Sequence, residues 1–151
     1  KWIKLGKLAF ADGAYGLASE RFRRAALLPP DDAESHILLG QARLALADYR
    51  QAFDEIISGL KLDPAWVTKP FRPIVLYDKK RDRYTKDIQD LKKVLALNPD
   101  DPILLFLSAY QMWFDGRRRE AGPILKRLAP TFPHKNVLDS FLRALPGAGR
   151  I

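Results

Sequence analysis

Cysteine is absent from the 151-residue sequence, and histidine occurs only twice. Without cysteine the chain cannot form disulfides, use a thiolate nucleophile, or hold an iron–sulfur cluster or a zinc ribbon. The sequence also lacks a run of about 18 apolar residues, the length that a membrane-spanning helix needs, so no membrane span is expected. It begins at Lys1 rather than Met, which indicates a piece of a longer protein. The length predicts a single domain.

Sequence motifs typical of enzyme active sites are absent as well. Neither His36 nor His134 is followed at the third or fourth position by a histidine or a carboxylate that would complete a metal site. No serine lies in a glycine-rich elbow, and no glycine-rich loop resembles a phosphate-binding motif. The sequence therefore predicts no enzyme activity, no cofactor and no small-molecule substrate.

Positive charge is in excess, with 26 Lys and Arg against 18 Asp and Glu and a formal net charge of +8. Much of the excess is local, because residues 69–93 contain nine basic side chains and only four aspartates. Such a segment is compatible with nucleic acid, an anionic surface or an acidic partner. A basic composition without a recognition motif favours none of these strongly.

A repeat of about 34 residues runs through most of the chain. Proline recurs at spacings of 34, 35 and 34 residues, and other residue types keep the same phase. A tyrosine precedes three of these prolines by 15 residues, and a large apolar residue precedes all four by 8. Because independent residue types share one phase, coincidence is a poor explanation. The residues in phase are Pro30, Pro64, Pro99 and Pro133; Tyr15, Tyr49 and Tyr84; and Phe22, Ile56, Leu91 and Leu125.

The first period carries the pattern W-x2-L-G, then A-x3-F, then P between residues 2 and 30, which resembles the tetratricopeptide repeat (TPR). The resemblance implies an all-α, right-handed α-solenoid of about four stacked helix-turn-helix repeats and a C-terminal capping helix. The third copy is degenerate, since Asp87 occupies the position of a small residue. The expected repeats are 1–32, 33–66, 67–101 and 102–135, with the capping helix at 136–145.

Apolar periodicity and turn residues predict the individual helices. Pro70 and Pro73 lie where the third repeat should begin, so its first helix should start late, after an extended or irregular stretch. Pro123 predicts a kink or a delayed start in the helix that contains it. Helices are expected near 2–12, 15–28, 33–46, 49–62, 72–80, 84–97, 102–114, 117–129 and 136–145.

The TPR resemblance also implies that the first helices of the repeats line a concave groove that binds a peptide or helix. When the groove positions of the family are transferred to this sequence by their place in the repeat, the groove is apolar in the first two repeats, basic in the third and aromatic in the fourth. We therefore expect a protein-interaction scaffold module whose partner has apolar and acidic residues. The candidate partner-binding residues are Phe10, Leu44, Lys79, Lys80, Phe106, Tyr110, Trp113 and Phe114. Further groove positions are Ile3, Lys7, Glu34, Ile37, Gln41 and Leu76, while the prolines of the third repeat leave Lys69 and Arg72 unassigned.

Other interpretations remain open at this point. Phe106, Trp113 and Phe114 would have no ligand if they packed against the helix at 136–145, and Lys79 and Lys80 would have none if they belonged to a solvated face. Nucleic-acid or anionic-surface binding through the basic third repeat is the main alternative function, although no motif favours nucleic acid. A structural segment that self-associates is a further alternative.

Overall fold

The structure, a computed structural model, describes residues 1–147 and consists there of nine α-helices and one 3₁₀ helix, without a β-strand. The all-α class expected from the sequence is confirmed. The α-helices are α1 (Trp2–Ala11), α2 (Tyr15–Leu27), α3 (Ala33–Ala45), α4 (Tyr49–Leu62), α5 (Pro73–Leu76), α6 (Arg81–Leu97), α7 (Pro102–Phe114), α8 (Arg118–Leu128) and α9 (Lys135–Ala144), and the 3₁₀ helix is Pro64–Thr68.

Aspartates cap several helices at their N-termini. The carboxylate of Asp32 accepts a hydrogen bond from the Ser35 amide at 2.7 Å, and that of Asp101 accepts one from the Ile103 amide at 2.9 Å. Such caps satisfy amide groups that have no partner inside the helix. Local signals of this kind explain why most helix ends lie within a residue or two of their expected positions.

Consecutive helices pack as pairs: α1 on α2, α3 on α4, and α7 on α8. Within two of the pairs a glycine permits the close approach. A Cβ atom at Gly6 would lie 2.4 Å from the ring of Phe22, and one at Gly40 would lie 2.6 Å from Cγ1 of Ile56. Both distances are shorter than carbon atoms tolerate, so the contact between the helices needs glycine at these positions. The two pairs join through contacts of α2 with α3.

The third repeat departs from this arrangement. The helix expected over 72–80 is wrong in length, because α5 contains only the turn Pro73–Leu76 and Asp78 then adopts a left-handed conformation with φ of 53°. The expected position of Pro73 in the first turn is confirmed. Part of the stretch expected to be irregular forms the 3₁₀ helix, and α6 begins at Arg81, three residues earlier than expected.

The placement of α5 and α6 follows from this shortened turn. α4 packs directly on α7, while α5 contacts α1 and α6 contacts α3 and α7. The third repeat therefore lies against helices of the first, second and fourth repeats.

The C-terminal helices close the other end of the described structure. α8 begins at Arg118 and continues through Pro123, so the delayed start considered for this helix does not occur. α9 packs against α4, α8 and the 3₁₀ helix, and it buries Val137, Leu138 and Phe141.

Candidate functional site

Six of the eight candidate residues are buried. Their side chains lie in the hydrophobic core, so they expose almost no surface to a partner, and their expected role in lining an open groove is not supported. The fraction of the residue exposed is 0% for Phe10, 2% for Leu44, 0% for Phe106, 1% for Tyr110, 1% for Trp113 and 3% for Phe114.

The aromatic side chains of α7 are covered by the C-terminal helix and by the segment after α4. The ring of Trp113 meets that of Phe141 in α9 edge to face, with centroids 5.0 Å apart. Its indole N–H donates a hydrogen bond to the carbonyl of Val67 at 2.8 Å. Phe106 also contacts Phe141, at a centroid distance of 5.9 Å. Packing against α9, which was the alternative to a ligand-binding role, describes Phe106 and Trp113, whereas the ring of Phe114 packs against that of Phe71 at a centroid distance of 5.6 Å.

The turn after α5 covers the inner face of α1. Tyr77, which is fully buried, places its ring 4.7 Å from that of Phe10 in an edge-to-face contact. The same residue contacts Tyr15 and Tyr84, so four aromatic rings from α1, α2, the turn and α6 pack together. The side of α1 that carries Phe10 is therefore covered by the chain's own turn after α5.

A buried polar network holds this segment in place. The Tyr77 hydroxyl donates to one carboxylate oxygen of Asp87 at 2.7 Å, and the Arg83 guanidinium donates to the other at 2.7 Å. Arg83 also donates to the carbonyl of Ala45 at the end of α3. Gln41 in α3 accepts a hydrogen bond from Gln111 in α7 at 3.1 Å, and its amide lies 3.5 Å from the Tyr77 hydroxyl.

Asp87 is the charged centre of this network. Burial raises the pKa of its carboxyl group above the ordinary 3.8, although the hydrogen bonds from Arg83 and Tyr77 act in the opposite direction. A buried carboxylate needs such donors because desolvation penalises its charge. Sequence reasoning had one signal of this site, since Asp87 stands where the repeat has a small residue.

Lys79 and Lys80, the other two candidates, are exposed in the turn between α5 and α6. The aliphatic part of Lys80 lies against Gly13, in the turn that follows α1. Neither lysine forms an ion pair within residues 1–147. Their charges are therefore available to a ligand near the junction of α1 and α5.

An open cleft of about 460 Å³ lies at this junction, between α1 and the segment that includes α5. Two aliphatic side chains on its walls are largely exposed: Leu8 at 55% and Val75 at 62%. Neither residue is among those that the sequence predicts for the site. The cleft is lined by Ile3, Lys4, Lys7, Leu8, Ala11, Val75, Leu76 and Asp78.

The lining of this α1–α5 cleft carries two lysines and one aspartate. Lys7 pairs with Glu34 at 3.7 Å, and Asp78 supplies one carboxylate, while Lys4 has no ion pair within the described chain. Three of the expected groove positions, Ile3, Lys7 and Leu76, do meet here. The site can offer aliphatic contacts flanked by lysines.

The basic segment 69–93 is partly neutralised. Four of its nine cationic side chains form ion pairs with aspartates, including the buried pair of Arg83 with Asp87. This reduces the positive potential available to a polyanion, although five of the basic side chains form no ion pair in the described structure. The paired residues are Lys69, Arg72, Arg83 and Lys86.

No protein-family model and no curated protein matches the chain. Within residues 1–147, no group of three histidine, aspartate or glutamate side chains is arranged to hold a metal ion. Among the helices described, none is both long and apolar enough to cross a membrane.

Proposed function

We propose that the chain is a protein-interaction module of the TPR type, an α-solenoid with a displaced third repeat. It binds a peptide or helix that carries apolar and acidic residues. Support comes from the in-phase sequence repeat and from the three helix pairs α1–α2, α3–α4 and α7–α8. The partner binds in the α1–α5 cleft, because six of the eight candidate residues are buried, whereas three further groove positions line this cleft.

Exposed aliphatic side chains in the cleft are the observation that carries this proposal. Leu8 and Val75 expose more than half of their surface on facing walls of a concave site. Covering an aliphatic side chain of this size contributes about 1–2 kcal/mol to binding free energy before the costs of association. Amphipathic helices use such anchors when they dock in a groove.

Lysine side chains near the cleft favour a partner with acidic residues. Lys4 lines the cleft, and Lys80 lies against Gly13 in the turn after α1. Neither these two lysines nor Lys79 forms an ion pair within residues 1–147. Acidic side chains on a partner would therefore find complementary charge. Such complementarity contributes more to association rate and specificity than to affinity.

A synthetic helix of about 14 residues, with leucines on one face and glutamates on the other, is a suitable probe. We expect it to bind the wild type, and Leu8→Ser and Val75→Ser to weaken binding by about tenfold each. Leu17→Ser is the matched control, because Leu17 is a similarly exposed leucine, at 48%, on α2. Isothermal titration calorimetry measures the affinities. Equal effects of Leu8→Ser and Leu17→Ser would contradict the proposed site.

The lysines allow a second comparison with the same peptide. Lys79→Gln with Lys80→Gln should weaken binding and reduce its salt dependence, whereas Lys92→Gln with Lys93→Gln, at exposed positions of α6, should do neither. If the first pair had no effect, the assigned role of Lys79 and Lys80 would be wrong.

The alternative functions give different results. Binding of a single-stranded oligonucleotide that falls steeply with salt would favour the nucleic-acid or anionic-surface alternative. A sedimentation coefficient that rises with protein concentration, without any peptide binding, would favour self-association.

A further inference from the structure

A second, smaller cleft of about 170 Å³ lies where the extended residues after the 3₁₀ helix meet the end of α7 and the start of α8. Three cationic side chains point to this cleft from separate parts of the chain: Lys69, Arg72 and Arg118. Aromatic residues form part of its wall, including Trp113. A concave site with convergent cations over aromatic rings is suited to an anionic group.

Two tryptophans fix two of these cations in position. The ammonium group of Lys69 lies 5.0 Å from the ring centre of Trp66, and the guanidinium of Arg118 lies 4.9 Å from that of Trp113. Trp66 and Trp113 are both buried, so their rings are rigid supports. Cation–π contacts at these distances hold a charged side chain before a ligand arrives, which lowers the entropy cost of binding.

The charge balance of the cleft indicates which anion fits. Lys69 pairs with Asp63 at 3.0 Å, and Arg72 is 3.7 Å from Asp115. Arg118 has no carboxylate partner within residues 1–147. Asp115 also pairs with Arg117 at 3.7 Å, and Arg117 pairs with Glu120 at 3.1 Å. Four cations against three carboxylates leave one net positive charge, which matches a single carboxylate better than a doubly charged phosphate.

We propose that this cleft binds a side-chain carboxylate of the partner peptide, with the Arg118 guanidinium as the main donor and Arg72 beside it. This rests on the proposed function, because it identifies the carboxylate as part of a protein partner. Arg72 directly precedes α5, whose Val75 and Leu76 line the α1–α5 cleft. One turn of helix therefore connects a site for apolar anchors with a site for an acidic residue.

The test uses a probe that carries the carboxylate alone, acetyl-glutamate-amide, with acetyl-glutamine-amide as its neutral counterpart. NMR spectra follow the three indole N–H signals of the protein. We expect the acidic probe to shift the Trp66 and Trp113 signals in a saturable manner and to leave Trp2, in α1, unchanged. The neutral probe should shift none of them. Inorganic phosphate is titrated separately to compare the two anions.

Variants of α8 locate the donor. Arg118→Gln should weaken binding of acetyl-glutamate-amide by about fivefold or more, and Arg118→Lys, which keeps the charge but loses the planar fork, should weaken it less. Arg119→Gln is the matched control, because Arg119 is exposed on the same helix and does not line the cleft. Circular dichroism of each variant checks that the helices are retained.

Several results would overturn the inference. It is wrong if Arg118→Gln and Arg119→Gln have equal effects, if the neutral probe binds as well, or if phosphate binds more tightly than the carboxylate. Failure here with normal binding of the leucine–glutamate helix in the α1–α5 cleft leaves the proposed function intact. Saturable binding of the carboxylate without any binding of that helix supports the carboxylate site and contradicts the proposed function.

Discussion

The hydroxyl of Tyr77 gives the most direct test of how the third repeat is held. Tyr77→Phe removes the donor to Asp87 while keeping the ring that packs on Phe10. A hydrogen bond to a charged group contributes about 1.5–3 kcal/mol, and the 3.5 Å contact from Gln41 adds little. We therefore expect the free energy of unfolding to fall by about 2 kcal/mol, and the Tm by about 4–8 °C for a domain of this size.

Urea denaturation, followed by circular dichroism, measures this change. Tyr49→Phe is the matched control, because the Tyr49 hydroxyl forms no side-chain hydrogen bond within residues 1–147 and the residue is only half-buried. Its effect should stay below about 0.5 kcal/mol. If both variants lose the same stability, the network does not hold the segment.

The pH dependence of the stability lost in Tyr77→Phe gives a second test of the hydrogen bond to Asp87. The Tyr77 hydroxyl lowers the pKa of Asp87 and so favours the ionised carboxylate, within a site whose burial raises that pKa above 3.8. The bond therefore stabilises the fold fully where Asp87 is ionised, and its contribution decreases as the pH falls through that pKa. The stability lost in Tyr77→Phe should be smaller at about pH 3 than at about pH 7. A difference that is independent of pH would show that Asp87 is not the acceptor.

Two further predictions concern helix contacts. Gly40→Ala should destabilise the protein by about 1–3 kcal/mol, because its Cβ would clash with Ile56. Gly16→Ala, at an open helical position, should instead stabilise it by up to about 1 kcal/mol. Urea denaturation measures both changes, and the same sign for the two variants would contradict the helix packing described. His36 lies 2.8 Å from Asp31 and from Glu55, and although burial lowers its pKa, these carboxylates raise it above 6.5 overall. Their stabilisation is complete below about pH 6.5 and is lost as the pH rises through the raised pKa. His36→Gln should therefore cost more stability at about pH 6 than at about pH 9, by up to about 1 kcal/mol, and equal costs would contradict the pairing.

Helix positions could be predicted because their signals are local. The spacing of apolar residues, the prolines and an aspartate before α3 act within a few positions, so the bounds of α1–α4 and α7–α9 agree closely with expectation. The site could not be predicted in the same way, because the burial of Phe10 and Trp113 depends on distant segments. Gln41 and Gln111 are 70 residues apart, and no periodic pattern indicates that they bond.

The displaced third repeat explains where the prediction of the groove failed. Pro70 and Pro73 restrict the start of that repeat, and the left-handed Asp78 ends α5 after one turn. So short a helix cannot form a hairpin with α6 that matches its neighbours, and α4 contacts α7 instead. α6 then meets α3 and α7, where Asp87 gains the donors that its buried charge requires. The α1–α5 cleft proposed as the partner site lies beside this shortened helix, and it combines the exposed Leu8 and Val75 with Lys4.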